Sequence, residues 1–185
     1  DDESVFWKQF QKFISERDTE KPFFFWYGSY DPHRTYKEGS GLASGKNLED
    51  VDVPPYLPDT RTVRSDLLDY AWEIERFDSN LVKMMKILED IDELENTLII
   101  VTSDNGLPFP RAKGNAYDAG VRVPMAISWG SRIKTTRVVK DLISHIDLGP
   151  TMLEAACLDA LEEIEGKSFL EILLNNSNTE KKPFR

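Results

Sequence analysis

Two short clusters in this sequence hold residue types that chemistry on an anion would need. The first is Asp104-Asn105-Gly106, placed directly after the β-branched run TLIIVT (97–102) and Ser103. A carboxylate and an amide carbonyl side by side supply two hard oxygen donors suited to calcium or magnesium. The same three residue types also make ordinary turns. The adjoining Leu107-Pro108-Phe109-Pro110 does not look like the returning strand of a hairpin. The second cluster is Asp31-Pro32-His33-Arg34, just past the run PFFFWYGSY (22–30). A histidine there could protonate a leaving oxygen or hydrogen-bond an anion; it could equally bond backbone or solvent. Arg34 could grip a sulfate or carboxylate with its planar fork, or lie on the surface. A third segment, 111–124, places Arg111, Lys113 and Arg122 in a loop that also contains Gly114 and Gly120. Three cations directly after a candidate metal site could hold an anionic substrate.

Positioning such groups takes a scaffold, and the hydrophobic pattern outlines one. Val5, Phe6, Phe10, Phe13 and Ile14 recur every three to four residues, which predicts an amphipathic helix over 5–17. The segment Lys21–Tyr27 contains an uninterrupted aromatic run bounded by Pro22 and Gly28, which predicts a strand buried on both faces. Residues 37–60, with three glycines and three prolines, predict a long loop, and loops of that length are often functional. Asp59 or Thr60 could cap a long helix running to about Ile91. Its expected apolar side uses Val63, Leu67, Tyr70, Ala71, Ile74, Phe77, Leu81, Met84, Leu88 and Ile91. Thr97–Thr102 and Pro124–Trp129 predict two further strands, and Pro150 to about Leu161 a helix with proline in its first turn. This order of elements points to a layered α/β fold with a mostly parallel sheet between helices. In such sheets ligands gather beyond the carboxyl ends of the strands, which is where both clusters fall.

Composition narrows the function classes. The 185 residues suffice for one domain with a sizeable core. A formal net charge of −10 argues against nucleic-acid partners, whose binders present a basic face. No apolar stretch approaches the roughly 20 residues of a membrane span, and no signal peptide is visible at the start. The single cysteine, Cys157, excludes an internal disulfide; its place in the apolar stretch 152–161 predicts a buried structural thiol. The end from Asn175 to Arg185 is polar and predicts a loose tail containing a sequon-like Asn175-Asn176-Ser177.

Three segments in this order and spacing resemble the sulfatase family of the alkaline-phosphatase-like superfamily: KPFFFWYGSYDPHR (21–34), TLIIVTSDNGLPFPRAKGNAYDAGVRVP (97–124) and SHIDLGPTMLEAA (144–156). The DPHR and NGLPFP elements look closest to the sulfamidase-like branch and to bacterial polysaccharide sulfatases. The resemblance implies an incomplete alkaline-phosphatase-like fold. Residues 1–160 would form the C-terminal part of the catalytic domain, and 161–185 a tail toward a further C-terminal subdomain. It implies that Asp104 and Asn105 are two ligands of one calcium ion and that Lys113 contacts the sulfate. It places His33 near the leaving oxygen and gives Arg122 a supporting role. Many sulfatases have a histidine where Tyr30 stands, so the resemblance leaves either His33 or the Tyr30 hydroxyl in that role; Arg34 is a candidate substrate contact on its own chemistry.

The family's nucleophile is a formylglycine made from a C/S-x-P-x-R motif. No such motif occurs in this chain, and Cys157 is followed by Leu158-Asp159-Ala160. Asp1-Asp2 imitates the family's second calcium-binding pair only superficially. The expected partners are therefore a sulfated carbohydrate and the N-terminal half of the same catalytic domain, with the chain alone inactive and the location periplasmic or exported. Two alternatives stay open: a phosphomonoesterase or phosphodiesterase of the same superfamily, and a non-catalytic carbohydrate-binding relic.

Overall fold

A computed structural model describes residues 4–175 of the chain. Asp1, Asp2 and most of the expected loose tail, with its sequon, lie outside the described residues. The elements run α1 (Ser4–Glu16), α2 (Ser40–Ala43), α3 (Arg61–Asp90), β1 (Ile99–Thr102), α4 (Asp118–Val121), β2 (Met125–Ser128), α5 (Leu148–Ala155) and α6 (Leu170–Leu174). The two strands pair in a two-stranded sheet. The chain divides into two compact units, residues 1–94 with 100–126, and 95–99 with 127–185.

In the first unit, α3 is the organising element. Thr60 caps it: the Thr60 hydroxyl accepts from the Val63 N–H at 3.3 Å. Asp59, the other candidate cap, instead pairs with Arg64 on the first turn. The buried stripe of α3 is Leu68, Asp69, Glu73, Asn80, Met84 and Leu88. That corrects the expected apolar side, from which Ile74 and Ile91 emerge largely exposed. Three of the six buried positions are polar; Asn80 donates within the helix to the Arg76 carbonyl, whereas Asp69 and Glu73 serve neighbouring segments. Asp69 shows how: its carboxylate accepts the backbone N–H groups of Gly39 and Gly41 at 2.9 and 2.8 Å. Those bonds hold α2 against α3, so the first part of the segment 37–60 is folded into short helical turns, while 51–60 is the irregular loop expected.

The aromatic run 21–27 also departs from expectation. It has no hydrogen-bonded strand partner among the described residues. Instead its side chains alternate: Phe23, Phe25 and Tyr27 turn inward while Phe24 and Trp26 are 65% and 78% exposed. The inward rings interlock with α1 through Phe10–Phe25 at 4.9 Å, Phe13–Phe25 at 5.1 Å and Phe6–Tyr27 at 5.8 Å. Tyr27 also stacks on Phe77 of α3 at 5.4 Å. Ring contacts hold this segment in place of a backbone ladder.

The second unit is built on Trp129, Phe169, Leu170 and Leu173, with Ile127, Ile133 and Leu148 packed around them. Asp147, fully buried, closes a capping box with Ser144 at the start of the turn into α5, and also accepts the Lys167 N–H at 2.9 Å. Helix α5 stops at Ala155, earlier than its sequence pattern suggests. Cys157 consequently lies beyond the helix, with φ of 59° and an exposed thiol, which corrects the expectation of a buried one.

Candidate active site

The two chemistry-bearing clusters converge within the first unit. His33, Arg34, Pro108, Phe109 and Lys113 line a single open pocket of about 380 Å³. One wall comes from the DPHR segment and the other from the loop after Asp104-Asn105-Gly106.

The first wall is a tight turn in which the His33 N–H donates to the Tyr30 carbonyl at 2.8 Å. His33 Nδ1 lies 2.5 Å from the Arg34 carbonyl oxygen. A carbonyl can only accept, so Nδ1 carries the proton and Nε2 is left to exchange one with a ligand. Tyr30 keeps its ring 5.0 Å from that of His33 and is largely exposed. Beneath the turn, Asp31 reaches buried Glu73 on α3. Arg76 contacts both, with Nη1 at 3.1 Å from each Glu73 oxygen and Nη2 at 3.5 Å from Asp31. Burial raises the Glu73 carboxyl to about 7, and its hydrogen bond with Asp31 pushes the same way.

Arg34 is more fully engaged than its sequence context suggests. Nη1 and Nη2 donate to the two oxygens of Asp66 at 3.0 and 2.6 Å, and Nε donates to the Pro108 carbonyl at 2.9 Å. The guanidinium carbon sits 4.7 and 4.6 Å from the ring centres of Tyr36 and Phe109. Hydrogen bonding to Asp66 raises the Arg34 pKa further and keeps it charged. Burial raises the Tyr36 hydroxyl, which donates to the Pro32 carbonyl as a neutral group.

The second wall is assembled from backbone. Beyond β1, the Ser103 hydroxyl donates to the Asn105 carbonyl at 2.7 Å, and Asn105 Nδ2 donates to the Gly106 carbonyl at 2.8 Å. That bond uses the Asn105 amide nitrogen and leaves its oxygen as the group able to accept or ligate, on the residue after the exposed Asp104. The Gly106 N–H donates to the Gly120 carbonyl at 3.0 Å. A Cβ at Gly106 would fall on the Ala119 carbonyl oxygen, and one at Gly120 on the carbonyls of Asn115 and Ala112. Only glycine permits this approach of α4 to the DNG segment. The Lys113 N–H closes the loop by donating to the Leu107 carbonyl at 3.1 Å, with Ala112 and Phe109 buried beneath.

The fold thus brings His33, Arg34 and Lys113 to one pocket. Tyr30 abuts it through His33, and Asp104 with Asn105 stands at the head of the same loop without lining it. Arg122 lies outside it, paired loosely with Asp118 at 3.9 Å. As a donor set, Asp104 and Asn105 fit a hard divalent cation in chemistry but supply only part of the usual six to eight oxygens. Among the described residues no group of three or more His, Cys, Asp or Glu is arranged to hold a metal. Asp66, Glu73 and Arg76 carry no functional signal from their immediate neighbours, and the clusters that contain Asp31, Pro108 and Phe109 do not show these residues as part of the site. One signal was available: Asp66, Asp69, Glu73, Arg76 and Asn80 recur at three- and four-residue spacing, a polar stripe along one side of a helix.

Comparison with known proteins sets this site in context. A family model described as Sulfatase matches residues 1–158. An ulvan-active sulfatase of Formosa agariphila is 34% identical over 119 residues, covering 64% of this chain and 20% of its own length. The human N-sulphoglucosamine sulphohydrolase is 31% identical over 166 residues, covering 78% of this chain and 33% of its own. The chain therefore spans about a third or less of these curated relatives. A Bacteroides thetaiotaomicron structure from work on glycosaminoglycan metabolism superposes with a TM-score of 0.77 at 20% identity, over 97% of this chain and 40% of that one. A phosphonate monoester hydrolase of Silicibacter pomeroyi shares the same fold, with a TM-score of 0.58 at 21% identity over 77% of this chain and 29% of that one.

Proposed function

The chain belongs to the sulfatase family, and from that premise we propose that the intact protein hydrolyses sulfate esters of a carbohydrate. The supporting observation is the open pocket that His33 and Lys113 line together, on the loop that follows the DNG segment. Asp104 and Asn105 would hold calcium; an amide oxygen suits that hard cation where imidazole would suit zinc or manganese. Bound there, calcium would polarise the sulfate, and the formylglycine typical of the family would supply the nucleophile from outside this chain. Lys113 contributes a point charge to the sulfate oxygens as negative charge builds on the departing group. His33, its Nδ1 proton committed to the Arg34 carbonyl, would exchange a proton with the leaving oxygen through Nε2. The relatives named for ulvan, N-sulphoglucosamine and N-acetylglucosamine-6-sulfate chemistry support a sulfated sugar as substrate class. An extracellular relative supports an exported location, and among the described residues no helix is long and apolar enough to cross a membrane.

The test is hydrolysis of an aryl sulfate and an aryl phosphate by the intact protein, matured by a formylglycine-generating enzyme, with and without calcium. Calcium-dependent sulfate release with little phosphate release is the expected result. Preferential phosphate release would move the protein to the phosphatase branch, and a fully matured protein inactive on sulfated sugars as well would be a binding relic. Within the site, His33→Ala should lower turnover at least about 100-fold, the usual worth of a placed acid, and Tyr30→Phe only slightly. The reverse ranking would give the leaving-group role to the Tyr30 hydroxyl.

A further inference from the structure

Arg34 has the chemistry of a sulfate ligand and the position of one, yet its surroundings use it differently. Its fork is matched by Asp66, so the guanidinium charge is offset before any anion arrives. Its third donor goes to Pro108, and Tyr36 and Phe109 lie close by. These contacts reach three separate segments. Arg34 itself adjoins His33; Asp66 belongs to α3; Pro108 and Phe109 begin the loop that closes at Lys113 through the Leu107 carbonyl. Lys113, by contrast, has no carboxylate within ion-pair range among the described residues, and its charge is available to an anion.

We infer that Arg34 and Asp66 are a positioning pair that sets the separation of His33 from Lys113, rather than Arg34 being a ligand of the sulfate. Asp66 fixes the plane of the fork, and the fork then holds the Pro108 carbonyl and the Phe109 ring at fixed distances from the His33 turn. Lysine could not substitute, because one ammonium cannot make two parallel bonds to a carboxylate while donating sideways to a carbonyl. Loosening this clamp would leave both site residues present but their spacing unset, and displacements on the order of 1 Å cost about 100-fold in rate.

The inference rests on the sulfatase reading for its kinetic arm only. In the intact, matured protein, Arg34→Lys and Asp66→Asn should each lower kcat for an aryl sulfate about 10- to 100-fold with KM nearly unchanged. The double variant should be no worse than the poorer single one, since both remove one unit. Asp66→Glu should recover part of the loss. A raised KM at unchanged kcat in Arg34→Lys, with Asp66→Asn close to wild type, would show a direct substrate contact and overturn the pair. Hydrogen exchange without substrate gives an arm independent of activity. Asp66→Asn should speed exchange together in segments 29–36 and 107–115 while leaving 40–44, which Asp69 holds, unchanged. Unaltered exchange in both segments overturns the clamp even if wild type is a good sulfatase. Coupled exchange in a protein without sulfatase activity would retain the clamp and discard the reaction.

Discussion

The two walls of the pocket are held by different physics. The DPHR wall hangs from α3 by charged side chains: Arg34 on Asp66, and Asp31 on the Glu73–Arg76 pair. The DNG wall uses backbone hydrogen bonds and two glycines that let α4 come within a distance no Cβ would tolerate. A wall built on ion pairs responds to pH and to changes of charge. A wall built on close approach is intolerant of added volume, and its own backbone contacts do not titrate, so charge reaches it only through the Arg34 bond to the Pro108 carbonyl.

The substitutions that would break or sharpen this contrast are graded in size. Asp104→Ala should bring sulfate hydrolysis in the intact protein to background, measured at limiting calcium, with the Tm of the calcium-free protein little altered; normal activity there would falsify the metal assignment. Gly106→Ala should destabilise by about 3 kcal/mol, the upper part of the range for overpacking, because the obstructing atom is a backbone oxygen. Chemical denaturation should show that cost to be the same at pH 5 and pH 8. Glu73→Gln should do the opposite. The Glu73 carboxyl rises from an ordinary 4.5 to about 7, so its contribution is fully present below about pH 4.5 and is lost as pH climbs through 7. Wild type should therefore lose on the order of 3 kcal/mol across that window relative to the glutamine variant, which should be flatter. If the two curves run parallel, the charged wall is not pH-sensitive through Glu73. Smallest is Thr60→Ala at the start of α3, expected to cost about 1 kcal/mol by removing the cap. It should leave kcat alone, because the cap makes no contact with the site.

The same contrast explains what the sequence made legible. Backbone-driven features were readable from local pattern: α3 and its start at one of two candidate caps, Asp59 or Thr60, β1, β2, and the DNG segment at the end of β1. These depend on periodicity, capping chemistry and neighbours a few residues away. The charged wall was not readable, because Arg34 and Asp66 are 32 positions apart and nothing local to either names the other. The buried stripe of α3 was misplaced for a related reason. Hydrophobicity alone assigns Asp69, Glu73 and Asn80 to solvent, whereas partners from other segments make the burial of Asp69 and Glu73 tolerable. The aromatic run 21–27 shows a third kind of limit. Composition foretold an extended, apolar segment but not that one of its faces would stay open, and the helix end that leaves Cys157 exposed was hidden by an apolar stretch continuing past Ala155.

That open face bears on how the chain behaves in solution by itself. Phe24 and Trp26 present bare rings on an extended backbone with no ladder partner among the described residues, the combination that invites one copy to add to the next. Opposing this is a net charge of −10, which keeps copies apart over a range set by ionic strength. At low salt the repulsion reaches about 30 Å, and at 1 M only about 3 Å, while the attraction between rings is undiminished. The colloidal stability of this polypeptide is therefore inverse to salt: dilute buffer disperses it, and the high-salt washes common in purification would drive it to self-associate.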